Sequence, residues 1–136
     1  MKNSLYILAF AIAAIGCHTS QPTEGLFVER LTGNNAVSYT DVTFAGVKDT
    51  VLVTTMSGRV AFRYKDHTEE NVVGHIDDEI YVVSYNNYKK HIALSTLGSG
   101  IIILDANSGK ELHKLPVIDT WCLSMGYSKN EEYLYA

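Results

Sequence analysis

Disulfides are the first thing this chain lacks. Its 136 residues hold two cysteines, Cys17 and Cys122, too few for the cross-linked framework that stabilises many small exported domains. Positive charge is scarce as well: a formal net charge of -4 argues against a nucleic-acid binder, which would carry a basic face. No charge run or low-complexity tract points to disorder. Catalytic motifs are missing: there is no G-x-S-x-G elbow, no H-E-x-x-H pair and no cysteine-pair motif. The five histidines are scattered rather than set at ligand spacing. His75 lies near Asp77, Asp78 and Glu79, but a boundary histidine before a solvated acidic loop explains that grouping better than a metal site does. No catalytic residue, metal or cofactor is therefore expected.

What is present begins with an export signal. Lys2 supplies a positive start, and Leu5 to Ile15 form an apolar stretch too short to span a bilayer as an ordinary helix. Ala14-Ile15-Gly16-Cys17 then resembles the bacterial lipobox. The resemblance implies a signal peptide over residues 1–16, cleavage before Cys17, and lipid on that cysteine's sulfur and amine. At about 0.8 kcal/mol per buried CH₂, two or three acyl chains would anchor the protein durably. An ordinary signal peptide with a chance cysteine is the alternative. Residues 17–25 are polar and non-periodic, as a tether to the membrane would be. By analogy with lipoprotein sorting, His18 where an aspartate would retain the protein in the inner membrane favours the outer membrane. Cys122, between Trp121 and Leu123, is expected to be a small buried hydrophobe without an intrachain partner.

From Leu26 onward the pattern is that of strands: short runs of Val, Ile, Tyr and Thr separated by Gly, Asn, Asp and Ser, with no sustained helical period. The fold class is all-β. The chain also repeats itself. With Val42 laid over Val83 (83 − 42 = 41), Phe44 meets Tyr85, Val51 meets Ile92, Val53 meets Leu94, Thr55 meets Thr96, Val60 meets Ile101 and Phe62 meets Ile103. A third copy starts one residue later, so that Tyr85 corresponds to Tyr127 and Ile92 to Leu134. Repeats of about 40–45 residues with four short strands are the mark of β-propeller blades, which bury their apolar faces by stacking on neighbours. Within the second copy, strands are expected at Ile80–Tyr85, His91–Leu97, Ile101–Asp105 and Glu111–Leu115.

Residues 72–85, VVGHIDDEIYVVSY, resemble the boundary between WD repeats, where a Gly-His pair closes one blade and an acidic residue precedes the next. Residues 119–136 resemble the start of a following unit. In that family a histidine, a hydroxyl residue, a turn aspartate and a tryptophan form a buried hydrogen-bond network. His75 and Asp105 match it, and Leu104 stands where the tryptophan would be. The structural boundary residues are then Gly74, His75, Asp105 and Gly109. Residues 101–112, IIILDANSGKEL, also resemble repeats of quinoprotein-type propellers, which share the architecture.

Gly98-Ser99-Gly100 invites comparison with a dinucleotide-binding loop. The strand-forming Ile101-Ile102-Ile103-Leu104 follows at once, where such a loop would open a helix. These glycines are expected to punctuate a hairpin instead.

The resemblance thus implies an antiparallel four-stranded-blade propeller over residues 26–136: an outer strand at 26–31, blades at 36–73 and 77–115, and an incomplete blade at 119–136. About two and a half blades fall short of the four to eight of a closed ring. The expectation is that the natural chain continues with further repeats, oligomeric closure being the alternative. The implied function is a non-catalytic scaffold for a protein or ligand, held by lipid in the bacterial cell envelope, with no role in binding nucleic acid. Alternatives are a quinoprotein-like assembly factor or quinone-dependent dehydrogenase, or a propeller fused to a hydrolase domain.

Overall fold

Alternating β-branched and aromatic residues make strands wherever successive side chains must enter two different packed faces. Ten strands are seen in a computed structural model of the protein, which describes residues 38–65, 69–117 and 121–136. The signal segment, Cys17 with its tether, and the outer strand at 26–31 lie outside the described residues. No described residue is helical, and the fold is all-β.

Strands β1 (Tyr39–Phe44), β2 (Thr50–Thr55), β3 (Arg59–Tyr64) and β4 (Asn71–His75) form a first antiparallel sheet in chain order. β5 (Ile80–Asn86), β6 (His91–Thr96), β7 (Ile101–Asp105) and β8 (Glu111–Leu115) form a second one in the same way. The hairpin of β9 (Gly126–Tyr127) and β10 (Leu134–Tyr135) makes a third, two-stranded sheet.

The three units share their register. Phe44 pairs with Val51, Tyr85 with Ile92 and Tyr127 with Leu134. In each hairpin a non-glycine residue takes a left-handed conformation, Asp49 at φ 58°, Lys90 at φ 56° and Glu131 at φ 57°. Such residues are uncommon, and here the surrounding backbone fixes the first two. The Lys65 N–H donates to the Asp49 carbonyl (3.0 Å), and the Ala106 N–H donates to the Lys90 carbonyl (2.7 Å).

Packing follows the repeat. Leu52, Val60 and Phe62 on one face of the first sheet meet Val83, Ile92, Leu94, Ile102 and Leu104 on the second. The opposite face of the second sheet carries Ala93, Ile101 and Ile103, which meet Tyr127, Leu134, Met125, Val117 and Cys122. Ala93, Ile101 and Ile103 are the 41-residue counterparts of Leu52, Val60 and Phe62. Each sheet therefore presents the same front face to the back of the next, a head-to-tail order. Each fully buried Leu or Ile contributes roughly 1.5–3 kcal/mol relative to exposure, and β2, β6 and β7 supply most of them.

Candidate functional site at the linker end of the sheets

The strand order places two kinds of connection at opposite ends of the units. One end holds the hairpin turns after β1, β3, β5, β7 and β9, and with them Lys48, Lys65, Lys89, Lys90, Lys110 and Lys129. The other end holds the turns after β2 and β6 together with the linkers leaving β4 and β8. Asp77, Asp78 and Glu79 lie there, beside the exposed side chains of Met56 and Leu97.

The linker end is knitted together by backbone. The Ile76 N–H donates to the Gly58 carbonyl (2.8 Å), and the Leu97 N–H donates to the Glu79 carbonyl (3.0 Å). Gly58 sits at φ 88° so close to the linker that a Cβ there would stand 1.8 Å from the Ile76 carbonyl oxygen. Thr55 and Thr96 organise the two turns alike: the Thr55 Oγ1 accepts the Arg59 N–H (3.1 Å), and the Thr96 Oγ1 accepts the Ser99 N–H (3.1 Å). In the second sheet the Ser95 hydroxyl donates to the Cys122 carbonyl (2.6 Å), which brings the exposed Trp121 and Leu123 to the same region.

Asp78 explains Gly98-Ser99-Gly100. Its carboxylate accepts the Gly98 N–H (3.1 Å to Oδ2), the Glu79 N–H (2.8 Å to Oδ1) and the Ser99 side chain. The loop already holds an anion, and it belongs to the linker. Desolvation pushes the Asp78 carboxyl upward, but the bonds from Ser99, Glu79, Gly98 and Thr96 outweigh it and hold it below the ordinary value.

Of the four boundary residues, two come together and two stand apart. Gly74 on β4 and Gly109 in the β7–β8 turn come together: a Cβ on Gly109 would lie 2.1 Å from the Val73 carbonyl oxygen, and one on Gly74 would lie 3.7 Å from the Gly109 oxygen. His75 and Asp105 serve separate places. His75 ends β4 and is exposed. Asp105 Oδ1 accepts the Ser108 hydroxyl (2.7 Å), the Ser108 N–H (2.8 Å) and the Asn107 N–H (3.1 Å) within its own turn. The Ser108 hydroxyl leads the contacts that hold its carboxyl below the ordinary value. Cys17 lies outside the described residues, and Cys122 is half-buried as a free thiol against the second sheet.

Polar ties between units were invisible in sequence. The Asp41 carboxylate accepts the Val83 N–H (2.8 Å) at the free edge of β5. The fully buried Asn86 donates to the Glu131 carbonyl (2.8 Å), and the Glu131 carboxylate accepts the Tyr88 N–H (2.6 Å). On the back face of the first sheet, Glu70 accepts the Tyr39 hydroxyl. Glu70 Oε2 also stands 3.0 Å from Arg59 Nη2, an ion pair without hydrogen-bond alignment. Arg63 Nη1 donates to the Tyr39 oxygen (3.0 Å). Burial first and the Glu70 contact second push the Tyr39 phenol up.

Among the described residues no group of three or more His, Cys, Asp or Glu is placed to hold a metal ion. No protein-family model matches the chain, and neither does any curated protein. The arrangement offers apolar side chains beside carboxylates on a backbone-tied surface.

Proposed function

We propose that the protein is a lipid-anchored scaffold of the bacterial cell envelope, built from propeller blades of WD-repeat-like type, that binds a partner without catalysis. One observation carries the reading: strand register and head-to-tail packing recur at the spacing of the sequence repeat, and each of the three hairpins carries a left-handed residue. A rigid repeat that presents its turns at one end is the common scaffold for binding surfaces. Cys17 supplies the membrane attachment on this reading, and residues 17–25 the tether.

The linker end is the surface assigned to the partner. Met56, Leu97, Trp121 and Leu123 give it exposed apolar area, and Asp77, Asp78 and Glu79 give it negative charge. A protein segment of mixed basic and apolar character fits it. A photoreactive residue at Leu97 or Trp121 is expected to give an adduct of discrete mass in cells, and one at Tyr88, on the hairpin end, to give none. Equal adducts from both ends, or none from the linker end, would overturn the assignment. The anchor is tested apart: Cys17→Ser is expected to abolish acyl labelling and release the protein from membranes, and a labelled, membrane-bound variant would remove Cys17 from that role.

A further inference from the structure

The hairpin end takes no part in the proposed function, yet its turns also repeat. Val47-Lys48 and Tyr88-Lys89 hold equivalent positions in the turns after β1 and β5 (88 − 47 = 41), an apolar side chain followed by an ammonium in each. Val47 is 60% exposed and Tyr88 84%, and both lysines are exposed. The two tips touch. A Cβ on Gly46 would stand 2.5 Å from the Asn87 side-chain carbon, and Lys90 Nζ donates to Asn87 Oδ1 (2.9 Å). The Glu131 carboxylate, by accepting the Tyr88 N–H, ties in the turn after β9 with its exposed Lys129. The tips therefore make one fixed surface rather than independent loops.

Among the described residues Lys48, Lys89 and Lys129 form no ion pair. The acids of this end are divided. Asp105 and Glu131 direct their carboxylates to backbone N–H groups, while Asp49, Glu69, Glu111 and Glu132 are exposed. With that many acids the end is no general polyanion-binding face. What selects its partner is the pairing of an apolar tip with an ammonium.

We propose that the hairpin end rests on a phospholipid surface, with Val47 and Tyr88 entering the interfacial layer and Lys48, Lys89 and Lys129 on headgroup phosphates. Tyrosine favours that layer because its ring is apolar and its hydroxyl stays wet. Lysine lays its methylene stem along apolar groups while its ammonium stays in the polar zone. Protein interfaces are depleted in lysine, which favours lipid over a protein face here, and anionic headgroups strengthen the contact. An anchor at Cys17 permits this pose without dictating it. The 21 residues from Cys17 to Ser38 (38 − 17 = 21) reach roughly 70 Å when extended, more than the length of any strand here. The linker end then faces away from the bilayer, open to its partner.

The inference goes beyond the proposed function and rests on neither Cys17 nor the linker-end partner. The test uses the full chain with Cys17→Ser and Cys122→Ser, and vesicles of phosphatidylcholine and phosphatidylglycerol. The segment Leu5 to Ile15 adds the same affinity to every variant, so the comparison among variants carries the result. Lys48→Glu with Lys89→Glu is expected to weaken vesicle binding about tenfold or more, with the far-ultraviolet circular dichroism unchanged. Lys114→Glu, the same charge reversal at an exposed position of β8, is expected to leave it unchanged. Brominated lipid is expected to quench a fluorophore on Tyr88→Cys and to spare one on Lys114→Cys. Equal quenching at both positions, binding indifferent to the lysine reversals, or a protein adduct of discrete mass from photoreactive Tyr88 in cells would overturn the proposal. Adducts at Leu97 report on the proposed function separately.

Discussion

Val42 and Val83 are the same residue at the same register position of two sheets with the same strand order, yet Val42 is 57% exposed and Val83 is 4% exposed. Phe44 and Tyr85 repeat the contrast. Tyr85 sets its ring edge-on against Phe62, with centroids 5.8 Å apart and planes at 84°. Phe44 stands in solvent. Local sequence makes the strand and chooses the face, but whether the first strand of that face is buried depends on the neighbouring unit, since Val53 and Ala61 further into the sheet are buried like Leu94 and Ile102. Other sheets pack on both faces of the second sheet and, among the described residues, on one face of the first, whose back face buries Val53 and Ala61 but leaves Val42 and Phe44 on the edge strand exposed. Stability should therefore be distributed unevenly along a nearly uniform repeat.

The largest effect is expected at the centre of the doubly covered sheet. Leu94→Ala removes a side chain with no exposure and should cost roughly 2–5 kcal/mol, seen as a lower urea midpoint with the slope retained. The two valines make the sharper contrast. Val83→Ala should cost about 1.5–3 kcal/mol through lost burial and the cavity left behind. Val42→Ala should stay within about 0.5 kcal/mol in dilute monomer. Equal costs would mean that cover by the neighbouring unit does not set the difference.

Asn86 tests whether polar ties between units matter as much as apolar ones. It is fully buried, donates to Glu131 and accepts the Lys89 N–H (2.7 Å). Asn86→Ala leaves both partners unpaired and should cost about 1–3 kcal/mol. Hydrogen exchange is the discriminating measurement. Protection should fall first in the β9–β10 hairpin, and a uniform loss across all three units would break the picture of separable units.

The repeat and its strands were legible because alternation of apolar residues is a strong local signal. The strands expected at Ile101–Asp105 and Glu111–Leu115 are those observed, and those at Ile80 and His91 differ by a single residue at their ends, Asn86 joining one and Leu97 leaving the other. The third copy was legible too, since its offset of one residue reappears in the Tyr127–Leu134 pairing. Other features depend on partners far along the chain. Nothing about Lys90 or Glu131 as residue types announces a left-handed backbone. Asp41 was silent because its partner is a backbone N–H, 42 positions on. The order of residue types around Gly74-His75 and Asp105 suggested one network, but a turn aspartate surrounded by Asn107 and Ser108 finds nearer donors.

Asp78 gives the smallest expected effect and the finest contrast, because the matching turns of the two sheets differ in a titratable group. In the second sheet Asp78 holds the turn through Gly98 and Ser99. In the first sheet Ser57 of the corresponding turn bonds Thr55 instead (3.0 Å). The folded pKa of Asp78 lies below its unfolded value near 3.8. Its contribution is thus fully present above that value and is lost as pH falls through the folded pKa. Asp78→Asn should accordingly lower the urea midpoint by a constant amount at neutral and mildly acidic pH, and that gap should close below pH 3.8 as the native carboxylate takes up its proton. Ser57→Ala, which removes a hydroxyl of unchanging charge, should shift the midpoint by the same small amount at every pH. A gap for Asp78→Asn that persists or widens in acid would show that the side chain acts in the linker through shape alone, and that the two turns are held by the same forces after all.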